Sequence, residues 1–209
     1  MNTTEKTLQY YNTHAESFVR ETIYVPFSQL QEEFLSKIKS GGRILDLGCG
    51  SGRDSKYFLS QGYRVVAVDG SERLCELASQ YIGQQVICST FQDYEPEGIF
   101  DGIWACSSLL HLEANDIVKV IRKLSDSLIE SGYIYLSFKY GTFCGERNGR
   151  FFTDMNENTF LNMSQDFSRL SVERLYITKD SRLNKQENKW LNILLTKDYY
   201  KNKRRDTNE

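Results

Sequence analysis

Proline is scarce in this chain, two in 209 residues, and no repeat or low-complexity stretch interrupts it. Without a Pro- or polar-rich linker, one domain spanning residues 1–209 is the expected organisation. Cysteine is present but unpatterned. The five residues, at 49, 75, 88, 106 and 144, are odd in number and show no C-x-x-C spacing. Neither a disulfide framework nor a zinc site is expected, and reduced thiols fit a cytoplasmic location. No bound metal is anticipated. Long apolar runs are also missing: nothing approaches the roughly 18 residues that a membrane span needs. Met1 to Lys6 has no apolar signal-peptide core. Charge of one sign is missing too, with 26 Lys+Arg against 28 Asp+Glu and a net charge of −2. No basic field recruits nucleic acid, which is therefore not an expected partner. The basic run Lys201–Arg205 reads as part of a solvated tail over residues 198–209.

Hydrophobic residues (40%, with 13% aromatic) suffice for a sizeable core, and their spacing alternates between two periods. Leu8, Tyr11, Ala15 and Phe18 mark an amphipathic helix over 4–19. Pro26 opens a second, with Leu30, Phe34 and Ile38 on one face and Gly41-Gly42 closing it. Apolar strands at 43–47, 64–68, 85–89, 99–105 and 132–139 then alternate with helices near 53–61, 72–81 and 114–130, the last carrying Ile117, Ile121, Leu124 and Leu128. Near-continuous apolar strands between helices mean a parallel sheet covered on both faces. The final third departs from this rhythm: a helix near 156–165, then strands near 171–178 and 189–197. The loop joining those strands is too short for a crossover helix, so they are expected to pair antiparallel.

The run Arg43-Ile44-Leu45-Asp46-Leu47-Gly48-Cys49-Gly50-Ser51-Gly52 is the most informative in the chain. A strand empties into glycines at alternate positions, where the backbone can approach a ligand closely and present free N–H groups. The dinucleotide pattern G-x-G-x-x-G fails, because position 53 is Arg53. The P-loop pattern fails for want of a following Gly-Lys pair. Asp46, two residues before Gly48, disfavours a pyrophosphate and favours an ammonium or sulfonium. Asp69 ends the next strand, 21 residues beyond Gly48, where a carboxylate can receive a ribose diol. Gly70 and Ser71 follow it, Ser71 as a helix N-cap.

At these positions the sequence resembles the class I S-adenosylmethionine-dependent methyltransferases. Ile44–Gly52 and Val65–Ser71 look like their first two motifs, and Phe100–Ala105 like the fourth-strand motif. Gly52-Arg53-Asp54-Ser55, Val68–Ser71 and Leu109-Leu110-His111-Leu112 look closest to small bacterial members of the tellurite-resistance or thiopurine-methylating kind. The resemblance implies an α/β, Rossmann-like sheet of seven mostly parallel strands. Helices cover both faces, the last strand is antiparallel at one edge, and residues 1–40 form an N-terminal helical lid on a core over 41–197. It implies S-adenosylmethionine as cofactor, S-adenosylhomocysteine as product, and a small-molecule methyl acceptor reacting through O, N, S or a metalloid. An RNA-modifying enzyme and a non-catalytic protein retaining the fold are the alternatives. Monomer and homodimer are both open.

The ends of the strands then define a site. Asp46, Gly48, Cys49, Gly50 and Gly52 come from the first strand, and Asp69, Gly70 and Ser71 from the second. Phe91, after the third, serves as an adenine wall or as a core aromatic. Ala105 and Cys106 end the fourth, where the resemblance places the methionine part of the cofactor. His111 follows, either beside the transferable methyl as a catalytic group or as a hydrogen-bonded structural residue. Tyr11, in the pair Tyr10-Tyr11, either covers the cofactor or packs on Phe18. Lys139, Arg147 and Arg150 are candidates for binding an anionic or oxygen-rich acceptor, and the loop Asp180–Asn184 borders the same region.

Overall fold

A computed structural model of the chain describes residues 2–182 and 185–198. Leu183 and Asn184 of the bordering loop, and the basic run 201–205, lie outside the described residues.

Seven strands form one sheet in the order β3-β2-β1-β4-β5-β9-β8. The central strands β1 (Arg43–Leu47), β2 (Arg64–Asp69), β3 (Ile87–Cys88), β4 (Phe100–Ala105) and β5 (Leu128–Lys139) run parallel. β8 (Leu170–Lys179) and β9 (Lys189–Lys197) form the antiparallel hairpin, and β9 also pairs antiparallel with β5. The expectation that the reversed strand lies at the sheet edge is corrected: β9 is inserted between β5 and β8, and β8 is the edge. The reason is legible in burial. Leu191, Ile193, Leu194 and Leu195 of β9 are all buried, as an interior strand requires, whereas β8 after Leu170 has only half-buried and exposed positions.

Successive strand residues face opposite layers. Leu45, Ile103 and Leu136 join one core cluster with α5 (Ala114–Asp126) and α6 (Glu157–Ser164). Ile44, Trp104 and Tyr135 join the other, with α2 (Ser28–Leu35), α3 (Arg53–Ser60) and α4 (Glu72–Ile82). Trp104 is the hub of that second layer, stacked on Tyr135 at 4.0 Å and edge-on to Phe58 at 5.5 Å. Leu128, read as part of a helix over 114–130, instead opens β5, because α5 ends at Asp126 and Leu128 pairs with Phe100.

Two elements close the carboxyl end of the sheet. α1 (Thr3–Thr22) begins in a capping box between Asn2 and Glu5 and carries non-helical backbone at His14. A small hairpin, β6 (Cys144–Arg147) and β7 (Arg150–Thr153), carries the candidates Arg147 and Arg150. Asn148-Gly149, both at positive φ, make its two-residue turn.

Candidate active site

The turn after β1 is built from left-handed glycines. Gly48 (φ +83°) and Gly50 (φ +56°) hold conformations that a Cβ opposes, and the surroundings leave no room for one. A side chain at Gly48 would meet Ser108 at 2.4 Å and Phe91 at 3.2 Å; one at Gly50 would meet Phe18 of α1 at 3.0 Å. At Gly70 it would meet Leu8 at 2.7 Å. The helix α1 therefore seats directly on the glycines, leaving a cavity of about 490 Å³ between it and the strand ends, within the range of small-molecule and cofactor sites.

Asp69 stands at the centre. Its Oδ2 accepts the Gly50 N–H and its Oδ1 the Ser71 N–H, each at 2.9 Å. Burial pushes its carboxyl up, against the pull of these N–H groups and that of Gly70. Each oxygen keeps a second lone pair for a ligand hydroxyl.

Asp46, expected to draw a cation, does not reach the cavity. It shares the face of Ile44 and Trp104, points into α3, and accepts the Ser55 hydroxyl at 2.6 Å. Burial and the neighbouring Asp54 charge hold its carboxyl far above the ordinary range. The acid that lines the cavity on this side is Asp54. It accepts from Gln31 (2.6 Å), Trp104 Nε1 (2.9 Å) and Arg53 (2.8 and 2.9 Å). Burial raises its carboxyl, but Arg53 and these donors outweigh that and leave it below the ordinary range. Arg53 and Asp54 belong to a motif visible in the sequence, yet nothing in the spacing says that α3 turns them toward the cleft.

Three further candidates have structural duties outside the cavity lining. Gly52 (φ +78°) lets α4 pack on the turn, with Ile82 2.9 Å from a would-be Cβ. Ser71 caps α4 through the Leu74 N–H and donates to Asn12. Ala105 is enclosed at 1% exposure, its strand neighbour Cys106 taking the cavity position. Gly48, Cys49, Gly50, Asp69, Gly70, Phe91 and Cys106 do line the cavity. So do Ser107 and Ser108, in the turn that follows β4. Ser107 holds φ +54°, uncommon for a residue with a Cβ, and donates its N–H to Ser137 at 2.8 Å. Ser108 Oγ and Gln92 Oε1 are buried without a partner among the described residues, and both residues line the cavity. Orphaned polar atoms beside such a cradle call for a ligand that hydrogen-bonds.

His111 sits on a short 3₁₀ turn (Leu109–His111) with both ring nitrogens engaged. The Phe151 carbonyl can only accept, so Nδ1 donates to it at 2.7 Å; Nε2 then accepts from the Tyr11 hydroxyl at 2.8 Å. Burial, with help from Arg150 and Lys139, lowers its pKa to about 4, so the ring is neutral. Tyr11 packs edge-on to Phe18 at 5.3 Å and also faces the cavity. His14, stacked on Tyr10 at 4.3 Å, lies apart from this chain of contacts.

On the acceptor side, Lys139 and Arg150 line the cavity and Arg147 does not. Arg147 is drawn to Asp154 at 2.5 Å and covers Phe143 and Phe152. Asp180, Ser181 and Arg182 also line it, with Asp180 and Arg182 paired to each other.

Residues 44–132 match the family of methyltransferase domains designated Methyltransf_25. In solved structures the chain superposes on the 1,6-didemethyltoxoflavin-N1-methyltransferase of Burkholderia thailandensis, determined with 1,6-didemethyltoxoflavin and S-adenosylhomocysteine bound. The TM-score is 0.71 at 20% identity, over 91% of this chain and 85% of that one. The chain has the class I methyltransferase fold. Among curated sequences this methyltransferase-fold chain is similar to the methyltransferase-like protein YqeM of Bacillus subtilis (strain 168), 29% identical over 127 residues, 56% of this chain and 51% of that protein. It is also similar to the magnesium-protoporphyrin O-methyltransferase of Rhodobacter capsulatus, 30% identical over 116 residues and 52% of each chain. The chain thus spans about half the length of the curated relatives it matches.

Proposed function

We propose that this chain is an S-adenosylmethionine-dependent methyltransferase acting on a small molecule, one domain with α1 as its lid. One observation carries this reading. A carboxylate with free lone pairs, Asp69, adjoins a left-handed glycine turn and two orphaned polar atoms, all bordering one cavity. Asp69 would take the ribose hydroxyls, Gln92 Oε1 offers an acceptor for an adenine amine, and Phe91 supplies an apolar wall. The Gly48–Gly50 backbone and the Arg53–Asp54 pair would hold the amino-acid end. When bound, S-adenosylmethionine supplies a methyl on a positively charged sulfur, which departs as a neutral thioether once the acceptor's lone pair takes the methyl carbon.

The chain's own work is then alignment and exclusion of water. Fixing two reactants in near-attack geometry is worth roughly 7–11 kcal/mol in favourable cases, so no dedicated base is required. His111 acts as a positioning residue: its neutral ring holds the Tyr11 hydroxyl, and Tyr11 holds α1 across the cleft. Water-free closure strengthens every charge interaction inside.

Calorimetric titration with S-adenosylhomocysteine tests the reading, with one-to-one binding expected and no binding overturning it. The finer likeness, to tellurite-resistance and thiopurine-methylating proteins, rests on Gly52–Ser55, Val68–Ser71 and Leu109–Leu112. Release of S-adenosylhomocysteine in the presence of tellurite or a thiopurine is its expected signature. Turnover with neither removes that placement.

A further inference from the structure

Several charges around the cavity are paired. Asp54 is paired with Arg53, and Asp180 with Arg182. At the acceptor end two cations stand close together without such a partner. Lys139 and Arg150 both line the cavity, and among the described residues neither makes an ion pair. Arg147, the nearby cation that does pair, has taken Asp154 out of play.

The two unpaired cations converge on one ring. Lys139 Nζ lies 5.3 Å from the centre of Phe152, and the Arg150 guanidinium 5.2 Å from it on a side that also covers Tyr10 at 4.3 Å. Trp190 stands 5.9 Å from Lys139 Nζ. His111 packs on the same Phe152 at 4.8 Å. Lys139 is pressed by burial, then by Arg147, Arg182 and Arg150, toward losing its proton, with Asp154 the one opposing charge. Half-buried cations that repel each other without a partner are costly, and an anion placed between them removes that cost.

We propose that the acceptor carries a carboxylate-type anion, which Lys139 and Arg150 hold beside the rings of Phe152 and Trp190. Building on the methyltransferase reading, this names the class of molecule that the second half of the cleft takes. The anion orients the acceptor and leaves its nucleophilic atom free to face the cofactor half. Neutral molecules of the same shape leave both cations unpaired, and cationic ones add repulsion.

The probes are benzoate, benzamide and benzylamine, titrated calorimetrically into the full chain with and without S-adenosylhomocysteine. Benzoate is expected to bind at least about tenfold more tightly than benzamide, with benzylamine weakest. In Lys139→Gln the preference for benzoate falls to about threefold or less, and Lys139→Arg restores it. S-adenosylhomocysteine affinity stays within about twofold in both variants, because Lys139 touches neither Asp69 nor the glycine turn that would hold the cofactor. Equal binding of benzoate and benzamide, no benzoate binding, or an undiminished preference in Lys139→Gln overturns the proposal. Failure of S-adenosylhomocysteine to bind while benzoate selectivity persists would instead count against the methyltransferase reading alone.

Discussion

Asp69 makes the sharpest prediction at the scale of single residues. Charge-assisted hydrogen bonds contribute about 1.5–3 kcal/mol each. Asp69→Ala removes the two bonds expected to a ribose, and S-adenosylhomocysteine affinity should fall at least about 100-fold by calorimetry. Affinity within threefold of the parent would remove Asp69 from the site. The same variant frees the Gly50 and Ser71 N–H groups, so Asp69→Asn, which retains acceptor capacity at one oxygen, should lose less.

His111 and Asp46 give opposite pH dependences. The folded His111 pKa is about 4, below the ordinary 6.5. The unfolded chain therefore binds the extra proton first on acidification, and the stability from this ring is complete above pH 6.5 and lost as pH falls toward 4. His111→Phe should flatten that part of the stability curve, measured by urea denaturation at successive pH values. An unchanged slope would show that the ring titrates normally. Asp46 runs the other way: its folded carboxyl is raised, so it costs stability as pH climbs from the ordinary carboxylate range toward alkaline values. Asp46→Asn should relieve that alkaline loss. This residue also shows where reading by type fails, because an acid before a glycine turn suggests a cation partner. The strand's alternation had already aimed Asp46 at α3, in phase with Ile44.

Among the elements, α1 carries the largest share of the inference. Its amphipathic pattern was legible, as was its place over the cofactor side by resemblance; its partner was not. The hairpin β6–β7 looked like a charged loop, since Glu146, Arg147 and Arg150 conceal a short ladder whose turn is set by Asn148-Gly149. Once formed, the hairpin brings Phe151 and Arg150 against α1. The Phe151 N–H donates to Thr7 at 3.1 Å, and Arg150 reaches the Tyr11 hydroxyl at 3.3 Å. Tyr11→Phe deletes a hydroxyl shared by His111 and Arg150. A net hydrogen bond of about 1 kcal/mol implies that α1 opens several-fold more often. Amide exchange of α1 residues should rise by that factor while the strands keep their protection. Unaltered exchange in α1 would show that the latch contributes nothing.

Across the whole molecule, the alternating apolar strands and helices announced a doubly covered sheet, and the fold has it. The insertion of β9 was hidden because a hairpin's pairing says nothing about which of its strands meets the rest of the sheet; burial of Leu191–Leu195 decides that, and burial follows from packing. The cavity's contents were partly readable. Glycines and Asp69 declare themselves by spacing, whereas Asp54, Ser107 and Ser108 reach the cleft only through the direction of α3 and the strained turn after β4. A ligand seated there would bridge the strand ends and α1. At 100 times its dissociation constant, S-adenosylhomocysteine adds about 2.7 kcal/mol of stability, or roughly 5–10 °C in Tm for a domain of this size.

The most direct test is a crystal structure with S-adenosylhomocysteine bound. The sugar hydroxyls should lie on the Asp69 carboxylate, the amino-acid end along Gly48–Gly50, and the sulfur toward the space bounded by Lys139 and Phe152. Electron density for the ligand anywhere else, or a glycine turn still filled by Phe18 with no ligand beneath α1, would contradict the account.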